Sequence, residues 1–259
     1  MRGFPRPRLR SRWKCSNPSL DFVFILAIGL VAGTLSGIVG FGSSVMLMPV
    51  LVIVFGPLQA VPVMAIAAIM ANFSRILVWW RDVDWRIFRG YSITAVPCAA
   101  LGAATLVALP ARLVEVALGV FFIAMIGVRR WMAAHEFKLG PGHLAALGVP
   151  IGYLTGVVAS TGPLTVPVFL ATGLVKGAFL STEAASSLAV YVAKAAVFRS
   201  FGVLPLEIVA KGLITGSTLM AGAFIAKRFV LKMDPGRLRL LMDGLMLLSG
   251  ASLLIAAFF

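Results

Sequence analysis

The stretch SGIVGFGSSVMLMP, Ser36 to Pro49, decides how this chain folds. It lies in an apolar run with no charged residue from Phe22 to Phe55, yet three glycines and three serines are set into it. As a single helix, residues 22–55 would measure about 51 Å, against about 30 Å of bilayer hydrocarbon. Glycine and serine are weak helix formers, and they stand where so long a helix has to be interrupted. The run is therefore read as two shorter helices meeting at a break. In lipid the backbone groups freed by a break need partners, so it has to face protein or a wet cavity.

A second stretch repeats the pattern. TGVVASTGPLTVP, Thr155 to Pro167, interrupts the apolar run 143–173, which as one helix would span about 46 Å. Setting GTLSGIVGFGSSVMLMPVL (33–51) over GYLTGVVASTGPLTVPVFL (152–170) aligns Gly33 with Gly152, Gly37 with Gly156 and Val39 with Val158. With one gap it also aligns Pro49 with Pro167. Downstream, Arg75 falls on Lys194, LGAAT (101–105) near AGAFI (221–225), and Gly119 near Gly244. The same order recurs over both halves.

The bulk composition agrees with a membrane location. Of 259 residues, 60% are hydrophobic and 12% charged, about half the charge of a soluble domain. Apolar segments run over 22–55, 57–80, 90–109, 113–128, 143–173, 179–199, 205–226 and 240–258. The expected fold is all-α: a polytopic membrane bundle of about eight hydrophobic segments, two of them broken, arranged as two inverted repeats. The expected organisation is a basic arm (1–21), repeat one (22–128), a polar connection (129–142) and repeat two (143–259). Trp79, Trp80, Trp85 and Trp131 cluster at segment ends, as interfacial anchors do.

Inversion is read from the loops. Connection 81–89 carries three cations, whereas its counterpart 200–204 carries none. Connection 110–112 carries one, whereas 227–239 carries Lys227, Arg228, Lys232, Arg237 and Arg239. The basic load changes sides between the halves, the expected mark of inverted topology. The six cations of the arm ask for the cytoplasmic side, but the inversion places the N-terminus outside, so the two signals conflict.

The net charge of +14 follows from this topology and from contact with anionic lipid, with no nucleic-acid partner expected. The arm and the run after it resemble a signal peptide, but the run outlasts an h-region and lacks a small-residue cleavage site, so no cleavage is expected. Cys15 and Cys98 are too far apart for a redox pair, and His135 and His143 share one polar connection. No catalytic set, metal cluster or cofactor is expected. An intramembrane enzyme, or a non-catalytic subunit of a larger complex, is the alternative to a transporter.

A small anion crossing lipid needs donors and positive potential in place of water, and helix N-termini supply both. Gly40 and Gly42 would let an anion approach the backbone, and Ser43 and Ser44 would offer hydroxyls at a helix start. In the second half Thr161 would cap, with Gly162 beside it and Pro163 in the first turn. Arg75 and Lys194 sit about five residues from segment ends, placed either to attract an anion or to snorkel outward. Asn72 precedes Arg75 by about one turn and either adds donors or bonds a neighbouring helix. Glu183 is the candidate for a coupling proton; pairing with Lys194 or a place at the interface are the alternatives. Glu207 and Lys211 form a local pair.

These residues resemble a known family, the sulfite exporter TauE/SafE permeases. The resemblance is carried by GLVAGTLSGIVGFGSSVMLMPVL, by RDVDWRIFRGY and AVPCAALGA, and by the stretch from IGYLTGVVASTGPLTVPVFL to AAVF in the second half. It implies a secondary carrier of two related halves moving sulfite or an organosulfur anion across the bacterial inner membrane, with a proton or sodium ion as possible partner. Ser43 and Ser44 stand where the family usually has a run of glycines, and STGPL where it has a second. That departure bears on which anion is carried.

Overall fold

The computed structural model describes residues 18–39, 43–134, 138–158 and 161–226, with positions 244, 247, 250, 251, 254 and 255 of the last segment. Among the described residues the chain is helical, without strands. The elements are α1 (Pro18–Val39), α2 (Ser43–Phe55), α3 (Pro57–Val78), α4 (Trp85–Ala108) and α5 (Ala111–Ala134). After these come α6 (Pro141–Val157), α7 (Gly162–Leu170), α8 (Lys176–Ser200) and α9 (Leu206–Ala226). Within α3, α4 and α9, the stretches Gln59–Val78, Trp85–Ala108 and Leu206–Ala226 are long and apolar enough to cross a membrane.

The long apolar runs are each carried by two helices. Residues 22–55 divide into α1 and α2, and residues 143–173 into α6 and α7. Two segments extend past their expected ends. The α4 helix begins at Trp85 rather than near 90, because the Asp84 side chain accepts from the backbone N–H groups of Arg86 and Ile87. The α5 helix continues through Arg129, Arg130 and Trp131 into the polar connection. Trp80, Trp85 and Trp131 are exposed at helix ends. Residues 1–17 of the arm, Gly40, Gly42, His135, the basic stretch 227–239 and most of segment 240–258 lie outside the described residues.

Packing follows glycine. The α1 helix carries Gly29, Gly33 and Gly37 along one face and lies against α9; α6 carries Gly148, Gly152 and Gly156 and lies against α4. A Cβ at Gly33 would sit 2.5 Å from the Leu219 carbonyl oxygen, and one at Gly152 would sit 2.6 Å from the Ala95 Cα. A Cβ at Gly37 would meet Ala226 at 2.6 Å, and one at Gly156 would meet Ala103 N at 2.6 Å. Small residues at helical spacing let the backbones approach where lipid provides no hydrophobic drive between helices. Gly33 and Gly37 thus serve close helix packing.

Gly33 and Gly37 meet Leu219 and Ala223, while Gly152 and Gly156 meet Ala95 and Ala99. Around these two seams, α3 packs on α8 and α9, α4 packs on α8, and α2 packs on α3 and α1. Glu207 and Lys211 form the expected local ion pair at 2.5 Å. The Lys211 ammonium also reaches Gln59 of α3 at 3.2 Å and the Phe55 ring of α2, tying α9 to both.

Candidate functional site

Where the two helix pairs α1/α2 and α6/α7 meet α3 and α8, a cavity opens. Its volume is about 490 Å³ counting the open space at its mouth. Most such pockets are apolar; this one is lined chiefly by hydroxyl, amide and charged groups. Ser36 comes from α1, Ser43 and Ser44 from the first turn of α2, and Ala68, Ala71, Asn72 and Arg75 from α3. Thr155 closes α6, Thr161, Gly162 and Thr165 open α7, and Glu183, Ser187, Val190 and Tyr191 line the α8 side. Tyr91 of α4 completes the wall and packs edge-on against Phe169.

The expected site residues are therefore largely brought together. Ser43, Ser44, Asn72, Arg75, Thr161 and Gly162 share one lining with Glu183. Pro163 occupies the first turn of α7, as its fixed φ suits, but stands outside the lining. Gly40 and Gly42 lie outside the described residues. Thr161 holds the N-cap position without capping: its hydroxyl is hydrogen-bonded to the Thr155 hydroxyl instead. That bond ties the last turn of α6 to the start of α7.

Arg75 does not snorkel. It is buried, and its Nη1 donates to Glu183 Oε2 at 3.0 Å. Its Nη2 donates to Asn72 Oδ1, while the Asn72 amide donates to the Ala68 carbonyl at 2.8 Å. The helix-bridging bond considered for Asn72 is thus replaced by one that orients the guanidinium from within α3. Glu183 is likewise no interfacial residue: it is buried and accepts from Ser187 at 2.7 Å and Thr165 at 3.3 Å on Oε1. An arginine–carboxylate pair inside a membrane protein survives desolvation only with such additional bonds.

Lys194 has a different role from the two considered. It is fully buried and outside the cavity lining. Its ammonium donates to the carbonyls of Thr155 at 2.8 Å and Val158 at 2.6 Å, and lies 5.6 Å from the centroid of the Phe198 ring. Carbonyls at a helix C-terminus have no intrahelical partner and carry the negative end of the dipole, so a cation there satisfies both needs. Lys194 closes the end of α6 where the chain turns toward α7.

Residues not singled out from sequence include Ser36, Thr155, Thr165, Ser187, Tyr91 and Tyr191. A signal for some was present: Ser187 and Tyr191 follow Glu183 at helical spacing. Among the described residues no group of His, Cys, Asp and Glu could hold a metal ion. His143 accepts from the Gly140 backbone N–H at 3.2 Å at the start of α6 and takes no part in the cavity.

Residues 25–253 match the protein family described as sulfite exporter TauE/SafE. No curated protein and no solved structure matches the chain.

Proposed function

The chain belongs to the sulfite exporter TauE/SafE family, an integral-membrane family of transporters for sulfite and related anions, and from this premise we propose that it is a secondary carrier whose anion binds in the cavity between α1/α2, α3, α6/α7 and α8. One observation carries the reading: the starts of α2 and α7 both face this cavity, beside the buried Arg75 guanidinium. Helix starts present unpaired N–H groups and positive dipole ends, and serine and threonine add hydroxyl donors. Arginine adds a planar fork suited to oxyanions. A sulfur oxyanion or short sulfonate matches this donor set; a cation does not. We place the cavity near the membrane midplane, in a multi-pass protein of the bacterial inner membrane.

The two halves are read as inverted repeats that share the site. Exchanging the halves converts the α1–α9 seam into the α6–α4 seam and the α3–α9 packing into α8–α4. The lining obeys the same exchange: Ser36 answers to Thr155, Ser43 to Thr161, Ser44 to Gly162 and Asn72 to Tyr191. This twofold pattern supports a site assembled by both repeats, as in carriers built on discontinuous helices.

Counterflow in proteoliposomes tests the proposal, using sulfite, thiosulfate, short sulfonates and sulfate. Saturable exchange of at least one is expected, and none would overturn the carrier reading. In the double variant S43L/S44L two donors are lost and the cavity is filled. A hydrogen bond to a charged group contributes about 1.5–3 kcal/mol, so affinity should fall about 100-fold or more while the protein stays monodisperse. Unchanged exchange would remove the helix start from the site.

A further inference from the structure

We infer that the transported anion and the carboxylate of Glu183 compete for one guanidinium, that of Arg75, so that one proton travels with each anion. This rests on the carrier reading and adds the coupling. Glu183 already sits as an internal anion in the cavity that is to receive an external one. Its Oε2 takes the Arg75 Nη1 donor at 3.0 Å, and Asn72 engages Nη2, so the guanidinium is held facing the carboxylate. An incoming anion that reaches Arg75 would lie beside a second negative charge in a low-dielectric space, where like charges exclude one another.

Protonation resolves the conflict. A proton taken from water on the side of anion binding converts the carboxylate to a neutral acid on Oε2, the oxygen that Arg75 then leaves. Ser187 and Thr165 remain on Oε1, so the acid stays seated. The Arg75 charge passes to the anion. On the far side the anion departs, Glu183 gives its proton to water, and the salt bridge closes again. Charge and protons balance: one anion and one proton cross together, and for a monoanion no net charge moves.

The other ionisable groups near Glu183 do not offer a second route. Arg75 on α3 and Tyr91 on α4 face it across the cavity, and Tyr191 lies on its own helix. Lys194 is engaged with the α6 carbonyls, and α6 and α7 contribute hydroxyls only. Among the described residues no second carboxylate lines the cavity. The twofold pattern makes the point from another direction. Glu183 answers to Met64 and Thr165 to Leu47, both buried and apolar. The proton-accepting arm therefore exists in one repeat alone, which sets the ratio at one.

The test uses the full-length protein in proteoliposomes with radiolabelled methanesulfonate, a monoanion at every working pH, and with sulfite. Counterflow without a gradient comes first; its absence for both probes would overturn the carrier reading and the coupling with it. With counterflow present, an inward proton gradient of about one pH unit should drive accumulation toward about tenfold for one-to-one coupling. Valinomycin with potassium should leave methanesulfonate accumulation unchanged. Glu183→Gln should show a ratio of about one with and without the gradient, whatever its absolute rate. A wild-type flux indifferent to the gradient, or an E183Q variant that still follows it, would overturn the inference. Should E183Q fail to stay monodisperse, a pH-sensitive dye inside wild-type vesicles decides. Acidification of the lumen as methanesulfonate enters supports coupling, and its absence overturns it.

Discussion

Arg75→Met is expected to abolish anion exchange and to lower stability by about 3–5 kcal/mol, the usual cost of leaving one member of a buried pair alone. The partner left behind is Glu183, buried among α3, α7 and α8 with its remaining bonds from Ser187 and Thr165. The loss of stability alone would not separate a structural from a functional role. The double variant R75M/E183M does. Replacing both charges by apolar side chains removes the desolvation cost, and such replacements are often neutral or stabilising. The double variant should thus regain most of the thermal stability in detergent and still show no exchange. Exchange in either variant would show that Arg75 does not hold the anion.

The second large effect concerns the glycine seams. Gly152→Ala places a methyl group 2.6 Å from the Ala95 Cα, and Gly33→Ala places one 2.5 Å from the Leu219 carbonyl oxygen. The atoms met are backbone, which cannot rotate aside, so the helices must separate along their length. Overpacking of this kind costs about 1–3 kcal/mol per site and occasionally more, and the double variant G33A/G152A should sum the two costs because the seams are separate. Gly127 in α5 is the control, for a Cβ there meets nothing within 4 Å. Gly127→Ala should be neutral or stabilise by up to about 1 kcal/mol through helix propensity. Equal melting shifts for G152A and G127A would refute the seam.

The outline of this architecture was legible because membrane thickness is a ruler. Runs too long for one crossing had to be divided, and the glycine, serine and proline clusters marked where α1 gives way to α2 and α6 to α7. The spacing of Gly33 and Gly37 marks one small face of α1 but not its partner helix, since spacing describes one face only. The site was legible in its helix starts and hidden in its charges. Arg75 and Glu183 are 108 residues apart, and no local pattern joins them. Lys194 looked like the twin of Arg75, yet its partners are backbone carbonyls, which every residue possesses and no sequence displays.

The seams have a mechanical consequence. At Gly33, Gly152 and Gly156 the neighbouring helix is met at its backbone, which no change of rotamer can move aside. If the proposed carrier opens its cavity to each side in turn, α1 with α9 and α4 with α6 are expected to move as units. The Arg75–Glu183 salt bridge joins α3 to α8, and it is the contact such a movement would have to release. A cross-link between facing cysteines of α1 and α9, or of α4 and α6, should leave exchange intact, whereas a cross-link between α3 and α8 should stop it.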